Sequence, residues 1–189
     1  MRMYFINSNK DVPSPVSRSW RSAMMEDETK CCPMGCSGVV PSFCPTPIDV
    51  PLDRGTDETI IGCVMVNIIH HSLFEIVSPF LDGHIAGRCV AAGTGKIIES
   101  HVTLYALPGK GIMVDGEDPA STLYFQCPVC GDRDAQYSPK YVIRRKDLAG
   151  RRASLAGRHD ALTVDEGLMR QIKSKNFKNI HISSVPVVD

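Results

Sequence analysis

Two cysteines separated by two residues form the most chemistry-bearing pattern in this chain. In Cys127-Pro128-Val129-Cys130-Gly131 both sulfurs can face one tetrahedral ion, because the proline stiffens the approach and the glycine allows a tight turn. The pattern reads as a zinc knuckle. It supplies two ligands where zinc takes four, and the nearest upstream residues of suitable type are Cys89 and His101. The sequence therefore predicts a zinc site of three Cys and one His, from Cys89, His101, Cys127 and Cys130, in which the ion stands in for missing core. Taken singly, Cys89 also reads as a small buried hydrophobe and His101 as a surface or capping histidine. Cys31, Cys32, Cys36 and Cys44 form a second cluster, either a further metal site with Cys32, Cys36, Cys44 and one unknown ligand or reactive unstructured thiols. A redox motif would open a helix after a strand, whereas Gly131-Asp132-Arg133-Asp134 with Pro139 reads as a turn.

The second pattern is charge. The whole chain balances 21 Lys and Arg against 21 Asp and Glu, yet Lys140 to Lys178 holds eleven basic residues against four acidic ones, a surplus of seven. Such a segment releases counterions from phosphates, so a nucleic acid is a natural partner; a solvated helix face or a nuclear-import patch is the plainer reading. The expected contacts are Lys140, Tyr141, Arg144, Arg145, Lys146, Arg151 and Arg152. Tyr137 and Tyr141 could stack on unpaired bases, which points to single-stranded RNA, or could pack the knuckle. Arg151-Arg152-Ala153-Ser154 fits a basic-directed kinase consensus, and phosphate on Ser154 would subtract positive charge there.

Other chemistry is not spelled out by spacing. Gly93-Thr94-Gly95-Lys96 is followed by Ile97, and Val90 stands where a phosphate-binding loop needs its first glycine, so no Walker site is expected. His70 and His71 point to different faces of either a helix or a strand. No nucleophile, base and orienting acid assemble, so no enzyme is expected.

The elements that must position these residues are harder to read. A chain of 189 residues with 43% apolar but only 6% aromatic content is expected to bury a modest core of Ile, Val and Leu. Met1 to Ile6 gives too short an apolar run for an export signal, which suggests a reducing compartment, cytoplasmic or nuclear. Ile60 to Leu81 is interrupted by Asn67, His70, His71, Ser72, Glu75 and Pro79, so no membrane span is expected. Residues 1–58 carry seven prolines among Ser, Asn and charges and read as largely disordered. Residues 59–142 read as a zinc-stabilised β-rich domain. Ile60 to Val77 is a buried strand or short helix, Ile97 to Tyr105 one arm of a hairpin turning at Pro108-Gly109 and returning through Ile112 to Val114, and Leu123 to Phe125 a third strand. Residues 143–189 read as a basic helical tail, with a Thr163 cap, Glu166 three residues on, and a helix through Lys175. The predicted fold is thus a small α+β one: short antiparallel strands around a zinc knuckle, a C-terminal helical basic segment and a disordered Pro-rich N-terminus.

Ile97-Ile98-Glu99-Ser100-His101-Val102, Tyr124-Phe125-Gln126-Cys127-Pro128-Val129-Cys130-Gly131 and Lys140-Tyr141 together resemble the zinc-binding domain of Nanos proteins, over Cys89 to Val142. The resemblance implies RNA binding through two Cys3His fingers and repression of translation with Pumilio-type partners. Four of that pattern's eight ligand positions are filled here. Ala86, Pro119, Tyr137 or Ser138, and Val142 stand near the others, and the spacing from His101 to Cys127 is longer. The sequence thus points to a zinc-binding, RNA-binding regulatory protein, with regulation of translation as the role the resemblance implies, or alternatively to a zinc-stabilised protein–protein adaptor with a basic localisation tail.

Overall fold

Apolar residues in Arg2–Ser8 (β1) alternate between two buried faces, Met3 and Phe5 on one and Tyr4 and Ile6 on the other, which is the pattern of a strand covered on both sides. The computed structural model describes residues 2–8, 14–26, 47–61, 66–106, 114–116, 125–126, 133–134, 141–155 and 162–189. After β1 come α1 (Arg18–Glu26), β2 (Val50–Leu52), β3 (Ile60–Ile61), β4 (Asn67–His70), α2 (His71–Val77), β5 (His84–Ala91) and β6 (Ile97–Ala106). They are followed by β7 (Val114–Gly116), β8 (Phe125–Gln126), β9 (Arg133–Asp134), β10 (Tyr141–Arg144) and α3 (Arg145–Leu148). The last elements are β11 (Ala153–Leu155), β12 (Leu162–Asp165), α4 (Glu166–Ser174) and β13 (Ile180–Val188).

Two curled sheets organise these elements. One has the order β11-β12-β1-β13-β10-β7 and the other β2-β5-β6-β4-β3, while β8 and β9 pair by themselves. Between the large sheets lies a shared apolar cluster. It takes Ile6, Ala153, Leu155, Leu162 and Val164 from the first sheet, Ile60, Ile69 and Leu104 from the second, and Leu73, Val77, Leu168 and Ile172 from α2 and α4. Burying each of these larger side chains contributes about 1.5–3 kcal/mol. The outer face of the five-stranded sheet packs Ile61, Ile68, Cys89 and Tyr105 against Val16, Ile48 and α1 through Trp20 and Met24. The outer face of the six-stranded sheet packs Met3, Phe5, Ile143 and Val185 against Leu148 of α3. Gly87 on β5 is required by space: a Cβ there would collide with the Ile48 carbonyl and the Thr103 hydroxyl, which are themselves hydrogen-bonded at 2.9 Å.

The predicted fold is corrected in its balance of strand and helix, in its organising knuckle and at both ends of the chain. The protein is mostly β, and no knuckle organises its described strands. β1 belongs to the segment expected to be disordered, yet it is an inner strand, held antiparallel between β12 and β13. The prolines misled that reading, since the first of them is Pro13, beyond the end of β1. The expected C-terminal basic helix is a strand–helix–strand unit. Asp165, not Thr163, caps α4 by accepting from the Leu168 amide at 2.7 Å, and Lys175 follows the last helical residue. After the left-handed residues Asn176 and Asn179 the chain enters β13, whose Ile and Val residues suit a pleated surface. At Pro186, which has no N–H to give, pairing with β1 ends and pairing with β10 begins. β6 also forms where a strand is expected, but it pairs with β4 and β5, while β7 lies in the other sheet against β10. A hairpin between the two is therefore absent.

Candidate functional site

The four expected zinc ligands are not seen together. Cys127 and Cys130 lie outside the described residues, in the connection between β8 and β9, whose strands pair Phe125 with Asp134. Cys31, Cys32, Cys36 and Cys44 also lie outside them. Cys89 is fully buried in the apolar cluster under α1, the environment of a small hydrophobe. His101 is 2% exposed. Its Nε2 lies 2.8 Å from the Glu58 carbonyl oxygen, which can only accept, so Nε2 carries the hydrogen and Nδ1 holds the lone pair. That nitrogen in turn accepts from the Ser100 hydroxyl at 2.9 Å. Both ring nitrogens are thus engaged by protein groups. Among the described residues no three of His, Cys, Asp and Glu converge on a position for an ion.

The expected nucleic-acid contacts are dispersed. Lys140 lies outside the described residues, and Tyr141 opens β10. Arg144 ends β10, and Arg145 and Lys146 begin α3; Arg145 reaches Asp189 at 2.6 Å. Arg151 and Arg152 tie the edge of the six-stranded sheet to the turn at Phe80 to Asp82 that leads into β5. Leu81 bridges Ala153, Arg151 approaches Asp82 at 4.0 Å, and the Arg152 guanidinium lies 4.5 Å over the Phe80 ring while pairing with Asp165 at 2.7 Å. Ser154 is the central residue of β11, 3% exposed, so a kinase would meet its hydroxyl only after the strand left the sheet.

Two groupings are defined by the structure: one lies in the basic segment but not among its expected contacts, and the other has no sequence motif. The first is the cationic end of α4. Arg170, Lys173, Lys175 and Lys178 are all exposed, and Gly167 to Val188 contains no Asp or Glu. Arg170 pairs with Glu166 at 2.6 Å and Lys178 with Asp57 at 3.0 Å, whereas Lys173 and Lys175 have no carboxylate partner among the described residues. The signal was available as the acid-free run that closes the chain. α3, with Lys146, covers the opposite face of the same sheet.

The second grouping surrounds His101. Along the β5–β6 ladder Arg88 faces Val102 while the next residue, Cys89, faces Ile98, so Glu99, Ser100 and His101 form a bulge on the β5 side of β6, while His101 stays paired with His70 of β4. Bulges re-aim side chains, and this one turns Ser100 and His101 toward each other. The His70 ring meets the His101 ring edge-on at 5.2 Å. His70 is itself held by capping α2, its Nδ1 accepting from the Ser72 amide at 3.3 Å. Burial pushes the His101 imidazole below its ordinary pKa, a shift that the Glu58 carbonyl opposes and the nearby His70 reinforces. The Glu58 carboxyl, buried as well, is pushed above its usual range by desolvation, with Thr56 and Arg54 opposing. No sequence motif marks this grouping, because its decisive acceptor is a backbone carbonyl.

No family model matches the chain, and no curated protein matches it either; the likeness to the Nanos domain therefore rests on its short motifs.

Proposed function

We propose that this protein is an RNA-binding regulatory protein whose phosphate contacts come from the end of α4. A single observation carries the reading: Arg170, Lys173, Lys175 and Lys178 are exposed within a stretch, Gly167 to Val188, that has no acidic residue. Lysines in or just after the last helical turn also favour the helix, but Lys173 and Lys175 are exposed and have no carboxylate partner among the described residues. Arg151 and Arg152 are given less weight as contacts because their guanidinium groups already meet Asp82, and Asp165 and the Phe80 ring. The zinc reading rests on Cys127 and Cys130, outside the described residues, so the proposal stands on the cations and not on an ion.

Fluorescence anisotropy with a single-stranded RNA oligonucleotide across a salt series tests it. Each neutralised phosphate contributes about −0.7 to the slope of log affinity against log salt, so Lys173→Ala with Lys175→Ala should flatten that slope by about 1.4. Lys146→Ala, on the opposite face, should leave it nearly unchanged. Affinity indifferent to both salt and the lysine pair would end the RNA reading. The adaptor alternative draws on Ile97, a large apolar side chain 48% exposed on β6; partner-protein binding that is insensitive to salt and lost with Ile97→Lys would favour it instead.

A further inference from the structure

We propose that Ser100 is an activated nucleophile with His101 as its general base, competent to take an acyl group from a carboxylic ester. The proposal is independent of RNA binding and rests on the β6 bulge. Ser100 Oγ lies 2.9 Å from His101 Nδ1, and His101 Nε2 donates to the Glu58 carbonyl at 2.8 Å. This is a nucleophile, a base and a group that orients the base, each within hydrogen-bond reach of the next. The carbonyl fixes the tautomer that leaves Nδ1 free to accept the serine proton, and it stabilises the imidazolium that results. His101 is buried and braced edge-on by His70, so the ring cannot swing away, while Ser100 remains partly open to solvent.

The chemistry balances within these groups. Ser100 Oγ forms a bond to the ester carbonyl carbon as its proton passes to His101 Nδ1. The C–O bond to the leaving alcohol then breaks, and the alcohol takes that proton. Water releases the acyl group by the reverse order: its proton goes to Nδ1, its oxygen bonds to the acyl carbon, and Ser100 Oγ departs with the proton restored.

The test uses the full chain and a fluorophosphonate, which forms an O–P bond to an activated serine with loss of fluoride. Peptide mapping by mass spectrometry compares Ser100 with Ser174 and Ser184, exposed serines of the same chain. General-base assistance is worth roughly a hundredfold or more, so Ser100 should be labelled about a hundredfold faster than either. Labelling no faster than those two overturns the proposal without any variant. His101→Gln keeps a donor for the Glu58 carbonyl but removes the base; it should abolish the preference while leaving the melting curve cooperative. A folded His101→Gln that labels as fast as wild type would equally overturn the assignment of the base.

Discussion

At the scale of single residues, His101 shows how far neighbours decide what a side chain is for. A histidine between a serine and a valine reads as a ligand or a surface group until the Glu58 carbonyl and the His70 ring enclose it. Its folded-state pKa lies below the ordinary 6.5, so the fold favours the neutral ring. The stability this contributes is fully present above pH 6.5 and is lost as pH falls through the folded value. The Glu58 carboxyl works in the opposite sense. Its pKa is raised above 4.5, so its stabilising protonated form is present at low pH and lost as pH rises through the folded value. Thermal melts of wild type from pH 7.5 downward should therefore show the midpoint beginning to fall near pH 6.5. His101→Gln, which cannot titrate, should lack that step. A midpoint that stays level down to the carboxylate range in wild type would contradict the buried, neutral imidazole. Ser100 depends on the same ring, since a protonated Nδ1 could no longer accept its hydrogen.

Among the elements, α4 gives the clearest account of a helix made by its ends. The unpaired amides of its first turn need an acceptor, and Asp165 supplies one to Leu168 at 2.7 Å. The same carboxylate holds Arg152, which lies over Phe80. Burial alone would raise the Asp165 pKa, but the Arg152 guanidinium and the Leu168 amide outweigh it and hold the carboxyl below its usual range. Asp165→Ala removes the cap and strands the guanidinium, and the cap by itself is worth about 1 kcal/mol. A chain of this size loses about 2–4 °C of melting temperature per kcal/mol. We therefore expect Asp165→Ala to melt at least a few degrees lower, and Asp165→Asn, which retains a capping oxygen, to recover part of the loss. Equal melting of all three proteins would show that α4 is held by its apolar face alone. Leu168, Met169 and Ile172 make that face, and they explain why the helix was visible from its sequence even though its cap was misplaced.

For the molecule as a whole, the two ends of the chain stabilise each other. β1 and β13 pair from Arg2 with Pro186 to Ser8 with Ile180, and Ile6 reaches through the sheet into the cluster shared with the second sheet. Ile6→Ala should cost about 2–5 kcal/mol, in the range for emptying a packed site, and denaturant unfolding should report it as a lower midpoint. An effect within about 0.5 kcal/mol, the size usual for a surface substitution, would mean that the N-terminal strand is peripheral.

The features legible in the sequence were local: the apolar run that became β3, β4 and α2, the β-branched stretch of β6, and the amphipathic face of α4. Each depends on residues within a few positions of one another, where periodicity and propensity act. The partners were decided only when distant segments met. Glu58 lends its carbonyl to a ring 43 residues away, Arg152 spends its charge on Asp165 rather than on a phosphate, and the opening strand lies beside the closing one. A backbone carbonyl has the same chemistry at every position, and strand pairing is set by which edges are brought together. Residue identity alone could therefore supply the local elements, but the pairings and the surroundings of His101 required the assembled tertiary structure.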